Sequence, residues 1–465
     1  MVTVDSEHLA AACGRHLGEP CTVEGVRRLS GGASRETWAF DATVGGTTRA
    51  LVLRRDPGAA IGQTDRSTEY ELLQAVGRAG VAVPGVTFLL ESADKLGDGF
   101  VMARIDGETI PRKILRDDEY AGARGHLVQQ CATAAAAIHA VPVDTLPHLP
   151  TQNATTLIDQ YRGVLDALGE PHPAFELGLR WLTERAPTLP ESPTALVHGD
   201  FRNGNFIVGA DGLRSVLDWE LAHLGDPIED LGWLCVKSWR FGNVDRAAGG
   251  FGSATDFLTA YAAASGHTVD PNHLQFWEVF GTLKWGVICE MQAFSHLQGL
   301  VRSVELAALG RRICEMEWDL LDLLDPATPG SATEHPLPVA EPGPAEPSMH
   351  DRPTTIEMVE AVREYLERDV MNREGRMAFH ARVAAKMLAM VERELALGPD
   401  QYAAEQTRIA ALLGQDGSAR ELQVELARSI RAGELDDRRR DVIAAVRASV
   451  RAKLAVSNPE YATPV

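Results

Sequence analysis

Over the first hundred residues, short β-prone runs alternate with glycine-containing turns. Residues 21–26, 36–40 and 49–54 each carry β-branched or aromatic side chains between Gly-bearing breaks, which predicts an antiparallel meander. Residues 67–76 place apolar groups at positions 72, 73 and 76, end before Gly80 and have Pro84 beyond, which predicts a helix. Residues 86–90 and 100–105 predict a further strand pair. From about Leu127 the pattern is mostly helical, and the aromatic-rich stretches at 276–280, 284–285 and 313–321 continue it. Eight prolines fall in the 28 residues 326–353, mixed with Gly, Ala, Ser and Glu, so this stretch reads as a linker. Beyond it the periodicity is helical only. Ile356, Val359, Val362 and Leu366 make one stripe; a second helix is predicted from about 375 to 397, closed by Gly398-Pro399, and others near 401–413, 418–431 and 437–454. The predicted organisation is α+β: a sheet-rich segment 1–105, a mostly helical segment 106–325, a linker 326–353 and an all-α bundle 354–465.

Composition narrows the function. At 465 residues and 45% apolar, the chain is long enough for more than one core. No apolar run approaches eighteen residues, and the start lacks the basic-then-apolar order of a secretory leader, so a cytoplasmic protein without a membrane span is expected. Six cysteines stand far apart with no CxxC pair, which points to reduced, buried thiols. The net charge of -20 repels phosphate backbones and argues against a nucleic-acid partner. Residues 351–465 carry 19 acids and 18 bases, so nearly all of that charge lies before them.

The chemistry concentrates in residues 196–220. His198-Gly199-Asp200-Phe201-Arg202-Asn203-Gly204-Asn205 lies between apolar, strand-like runs, and Leu217-Asp218-Trp219-Glu220 follows a second run. An Asp and an Asn five apart, then an Asp thirteen residues later on a hairpin, match the spacing of a kinase catalytic loop and its metal-binding Asp. In that reading Asp200 orients the acceptor hydroxyl and takes its proton. Asn205 and Asp218 supply hard oxygens to Mg²⁺ on the nucleotide phosphates. Gly199 and Gly204 are attributed to backbone crowding.

These residues, with Gly225-Asp226-Pro227-Ile228-Glu229-Asp230-Leu231, resemble the aminoglycoside phosphotransferase and choline kinase-like kinases. The resemblance covers about two-thirds of the chain and implies a two-lobed, protein-kinase-like fold that uses ATP and Mg²⁺, with GTP left open as donor. The helical stretches look most like the subgroup fused to acyl-CoA dehydrogenases, which implies a hydroxyacyl-CoA or related hydroxy acid as acceptor and makes 276–321 a wall of the acceptor pocket, although an aromatic stripe is more often core. The C-terminal segment resembles a domain of unknown function found beside such kinases and is a candidate homodimer surface. Asp226 and Asp230 correspond to positions that are mainly structural, with Asp226 expected to cap a helix that has Pro227 at its first position. His139 is expected to be a buried, hydrogen-bonded helix residue.

The N-terminal segment supplies the nucleotide side. Ser30, Gly31, Gly32, Ala33 and Ser34 lie between two strands, where small residues let backbone N–H groups approach phosphate. No GxxxxGK[ST] occurs, so phosphate binding of the Walker type is excluded. Kinases of this kind carry a strand lysine paired with a helix Glu, yet no lysine precedes Lys95. The resemblance therefore places Arg54 in that role with Glu69 as partner, and arginine can grip phosphate with two donors. Met102 and Ala103 correspond to the hinge whose backbone meets adenine. The competing expectations are an aminoglycoside kinase, to which the acidic surface would draw cationic acceptors, and a nucleotide-binding scaffold without turnover.

Overall fold

The computed structural model describes residues 4–29, 36–56, 66–326, 355–372 and 375–461. By their contacts the residues group into two compact units, 1–153 with 190–278 and 154–189 with 279–465. This grouping cuts across the expected 106–325 segment.

The first unit begins with α1 (Ser6–Leu17) and the strands β1 (Cys21–Arg28), β2 (Glu36–Val44) and β3 (Thr47–Asp56). Helix α2 (Arg66–Arg78) follows, then β4 (Val86–Leu89) and β5 (Asp98–Ala103). The five strands form one antiparallel sheet in the order β1-β2-β3-β5-β4. Alternation puts Trp38, Phe40, Leu51, Leu53 and Val101 on one face, where they share a core with Leu9 and Ala12 of α1. The opposite alternation carries Arg54, which follows the apolar run Ala50–Leu53, to the other face.

The remainder of this unit is mostly helical: α3 (Pro111–Arg116), α4 (Ala121–His139) and, after the segment that belongs to the second unit, the short strands that carry the motif residues. In the second unit lie α5 (Ala154–Leu168) and α6 (Pro173–Arg185). Strands β6 (Ala195–Val197) and β9 (His223–Gly225) pair antiparallel, and β7 (Phe206–Gly209) and β8 (Gly212–Val216) form a hairpin. Then come α7 (Ile228–Cys235), α8 (Ala254–Ser265) and α9 (Pro271–Leu297), the last of which gives its residues through Glu278 to the first unit and the rest to the second.

The second unit is all helical, with α10 (Val304–Gly310), α11 (Ile313–Leu324), α12 (Thr355–Tyr365), α13 (Arg376–Leu413), α14 (Ala419–Ala432) and α15 (Arg439–Ser457). Its core joins Ala174 and Leu177 of α6 to Trp318 and Leu321 of α11, Ile409 and Leu412 of α13, Leu426 of α14 and Val446 and Leu454 of α15. Each such buried aliphatic side chain contributes roughly 1.5–3 kcal/mol, so helices from before and after the Pro-rich stretch are bound by one shared core. Lys453 reaches from α15 to Glu317 of α11 at 2.9 Å and reinforces it.

One expectation is corrected, and the aromatic stretches, expected as pocket wall or more commonly core, are core. Gly398-Pro399 was expected to end a helix, but α13 runs through Pro399 for 38 residues. Proline removes one intrahelical bond, and the apolar residues on both sides of it, Leu397 and Ile409, pack on the same core and hold the turn in place. The aromatic stripe of α9 is core: Phe276, Trp277 and Phe280 are fully buried. Residues 313–321 likewise bury Trp318 and Leu321 within the helical unit's core rather than standing open as a pocket wall.

Candidate active site

The loop between β6 and β7 is held by hydrogen bonds that leave little freedom. Asp230, fully buried on α7, accepts from the backbone N–H groups of His198 at 2.8 Å and Gly199 at 2.9 Å, and its Oδ2 meets His139 Nε2 at 3.1 Å. Burial alone would raise the Asp230 carboxyl, but the hydrogen bond and charge of His139 hold it below the usual carboxylate range. His139 is thus a buried structural residue, bonded also to Tyr261 at 2.9 Å. Asp226 accepts from Ile228 N–H at the start of α7 and from Trp277 Nε1 at 3.0 Å, and pairs with His273. It therefore caps the helix and ties it to α9; the helix begins one residue later than expected, with Pro227 as its cap residue.

His198 joins the two parts of the motif. Its Nε2–H donates to the carbonyl of Leu217 at 3.0 Å, while Nδ1 accepts from the Asp200 N–H at 3.1 Å. Burial lowers its pKa, which fits the neutral tautomer that this pattern requires. A second strap, Leu217 N–H to the Asn205 carbonyl at 2.8 Å, brings the Asn205 and Asp218 backbones together.

Gly199 has φ +78 and a Cβ there would press into the Leu221 carbonyl; Gly204 has φ +123 and a Cβ would lie 2.5 Å from Arg202 Nη1. Crowding against backbone requires Gly199, as expected; at Gly204 the near atom is the movable end of Arg202, and it is the positive φ that calls for glycine. Asp218 is more unusual, because it adopts φ 70, ψ 65 without being glycine. An L-residue in that region costs of order 1–3 kcal/mol, and such strain is kept where a side chain must be aimed.

Asp200 accepts from Arg202 Nε at 2.9 Å and Trp233 Nε1 at 2.8 Å on Oδ1, and from Asn205 Nδ2 at 2.6 Å on Oδ2. A carboxylate offers about four lone-pair positions, so Oδ2 retains one for a further donor. Arg54 Nη2 lies 2.5 Å from Asp218 Oδ1, and its Nε lies 3.1 Å from Glu69 Oε1. That Nε is buried and not aligned for a hydrogen bond to any described residue. Burial would lower the Arg54 pKa, but the charges of Glu69 and Asp218 outweigh it and keep the guanidinium fully protonated. Glu69 is itself held by Arg66, which also pairs with Asp56 at 2.6 Å.

The geometry therefore gathers Asp200 with Asn205 and Arg54 with Glu69 and Asp218. Ser30, Gly31, Gly32, Ala33 and Ser34 lie outside the described residues. Met102 and Ala103 are inside the sheet, where the Ala103 N–H donates to the Gly85 carbonyl at 2.8 Å and Arg104 N–H to Ala50 at 2.9 Å. The first backbone N–H past β5 that no described residue takes is that of Ile105. The sequence reading gave Arg202, Trp233 and Trp239 no role. Arg202 stood inside the motif, two residues after Asp200, whereas no spacing rule could have linked Trp233 to Asp200 across 33 positions.

Asn205 and Asp218 fit a magnesium ion by their chemistry, a neutral amide oxygen and a carboxylate, which is the hard-oxygen pair Mg²⁺ uses when phosphates complete its shell. Arg54, a permanently charged guanidinium whose Nε faces Glu69 and whose Nη2 rests on the exchangeable Asp218, fits a phosphate oxygen through its Nη donors.

A small antiparallel sheet bearing an Arg–Glu pair, followed by a helical region with an Asp–Asn loop and a hairpin Asp, defines a kinase-like fold. The chain belongs to the phosphotransferase enzyme family, whose model matches residues 25–267. Residues 371–461 match a domain of unknown function. The chain is similar to acyl-CoA dehydrogenase family member 10 of Mus musculus, 31% identical over 205 residues, or 40% of this chain and 18% of that protein. It is 29% identical over 234 residues to acyl-CoA dehydrogenase family member 11 of Gallus gallus, 46% of this chain and 28% of that protein. The matched region is thus less than a third of either relative's length. The crystal structure of an assigned aminoglycoside phosphotransferase from Ralstonia eutropha superposes with a TM-score of 0.53 at 23% identity, covering 68% of this chain and 98% of that one, and shares the fold.

Proposed function

We propose that this protein is an ATP- and Mg²⁺-dependent kinase that phosphorylates a hydroxyl of a small molecule. The observation that carries the reading is the hydrogen-bonded set of Asp200 and Asn205 beside an Arg54–Asp218 pair held by Glu69. Asp200 is the base, and the acceptor hydroxyl donates to its Oδ2. As the acceptor oxygen bonds to the γ-phosphorus, the bond from that phosphorus to the β–γ bridging oxygen breaks, ADP leaves and the hydroxyl proton passes to Asp200. Asn205 and Asp218 would hold Mg²⁺, which when bound neutralises the nucleotide phosphates. Arg54 moves from Asp218 to the phosphates, with Glu69 keeping it in place. Adenine would meet the backbone just beyond β5, at Ile105, because the Ala103 N–H is spent in the sheet.

The acceptor we favour is a hydroxy acid or its acyl-CoA thioester, in keeping with the relatives' names. We place the protein in the cytoplasm; among the described residues no helix is long and apolar enough to cross a membrane. A homodimer through the C-terminal helices belongs to the same proposal, and the exposed Met358, Val362 and Tyr365 of α12 offer an apolar face for it. The test is ATP consumption by the purified protein over a panel of hydroxylated acids, their thioesters and aminoglycosides, run beside Asp200→Ala. Turnover with a hydroxy acid or thioester that Asp200→Ala abolishes is expected. Consumption confined to aminoglycosides, or none with any acceptor, would overturn the reading.

A further inference from the structure

Around Asp200 the side chains close a ring. Arg202 and Trp233 both donate to Asp200 Oδ1. The Arg202 guanidinium lies over the Trp239 ring at 4.4 Å, and Trp239 packs against Trp233 at 5.2 Å between ring centroids. The turn that carries Trp239 is fixed by Arg240, whose donors go to the carbonyls of Cys235 and Val244 and to Glu278. Phe241, next in sequence, adopts a left-handed φ of 48.

The two arginines are used differently. Arg240 spends its guanidinium on the fold. Arg202 spends only Nε, on Asp200; Nη1 and Nη2 make no hydrogen bond to any described residue, and 23% of its side chain is open to solvent. A guanidinium held by Nε on one side and seated over an indole ring keeps its two Nη donors as a planar fork, which is the pair that binds carboxylate with two parallel hydrogen bonds. It sits beside the carboxylate to which we assign the acceptor hydroxyl.

We propose that Arg202, seated on Trp239, is the specificity-determining residue of an acceptor subsite for a carboxylate. The phosphorylated hydroxyl then belongs to a hydroxy acid short enough to reach Asp200 with its hydroxyl while its acid group meets Arg202. The same charge repels the ammonium groups of a cationic amino sugar. This assignment rests on Asp200 being the base, and it adds a substrate class to that reading.

The experiment measures equilibrium binding to the full chain, by calorimetry, of 4-hydroxyhexanoate and of its uncharged counterpart 4-hydroxyhexanamide, together with phosphate transfer from labelled ATP to each. The wild-type protein is expected to bind the acid about tenfold more tightly than the amide, the ratio that one charge-assisted pair supports. Arg202→Gln should bring that ratio below about threefold, and Arg202→Lys, which keeps the charge and loses the fork, should leave it between the two. If Arg202→Gln fails to fold, the lysine variant alone decides. Equal binding of acid and amide by the wild type, binding of neither, or an undiminished preference in both variants overturns the subsite. Phosphate transfer without acid preference overturns the subsite and leaves the kinase reading intact; acid preference that depends on Arg202, without transfer to either compound, supports the subsite and counts against the kinase reading alone.

Discussion

Arg54 Nη2 stands 2.5 Å from Asp218 Oδ1, so the residue assigned to the nucleotide phosphates and the residue assigned to the metal are each other's partners. The pair holds two charges ready at a site where phosphate and a divalent cation would replace each partner with a stronger one. Arg54→Ala is expected to lower kcat/KM for ATP by about 10²–10³, the range for losing one donor to developing charge. Arg54→Lys should recover part of it, because the charge remains and the two-donor grip does not. Steady-state kinetics against ATP decide this. An Arg54→Ala protein with unaltered ATP kinetics would remove Arg54 from the site.

Asp200→Asn keeps the shape of the side chain and its place beside Asn205, but removes the proton acceptor. Turnover is expected to fall about 10²–10⁴-fold, the usual size of a base contribution, while the dissociation constant for ATP stays within about twofold. Nucleotide binding followed by fluorescence, beside rate measurements, separates the two effects.

Asp218 gives opposite answers for stability and activity. Replacing a left-handed aspartate with glycine relieves about 1 kcal/mol of backbone strain and frees Arg54 from one of its two carboxylates. Asp218→Gly is expected to melt at the same temperature as the wild type or slightly higher, and to lose activity at every Mg²⁺ concentration. A thermal melt and a magnesium titration check both halves.

His172, buried between Glu317 at 2.9 Å and Glu290 at 3.4 Å, makes stability pH-dependent. Burial alone would lower its pKa, but the Glu290 carboxylate facing it and the hydrogen bond to Glu317 raise it to about 9 from the ordinary 6.5. A raised pKa means the folded protein holds the proton more tightly. The stabilisation is therefore complete below about pH 6.5 and lost as pH rises through about 9, with a swing of roughly 3 kcal/mol. Glu317 works from the other side: burial would raise it, yet Lys453 and His172 hold it down at about 2, so its contribution is present above pH 4.5 and lost as pH falls through about 2. Urea midpoints between pH 6 and 10 should decline for the wild type, and the slope should flatten in His172→Gln. An equal slope in both proteins would assign the alkaline loss elsewhere.

Local rules read most of the elements and the site's chemistry. Five strands, α2 and the helices after residue 355 lie where alternation and 3.6-residue stripes put them, because those patterns record which face of each element avoids water. Pro399 is where local logic failed. Its helix-breaking tendency is a property of the isolated chain, and the packing of Leu397 and Ile409 outweighs it.

The sequence by itself determined the residue types we assign to phosphoryl transfer and their spacing, since an Asp, an Asn, a second Asp and two glycines fall at fixed intervals along one stretch of chain. It also determined the absent lysine, and hence Arg54. Only the tertiary structure decided what each side chain meets. That Trp233 and Arg202 converge on Asp200 Oδ1, that Arg54 rests on Asp218, and that α6 and α11 share a core with α15 are contacts across 33, 164 and more than a hundred positions. Pairings of that kind are settled by how completely whole faces can be buried together, a quantity that belongs to the folded chain and has no local signature.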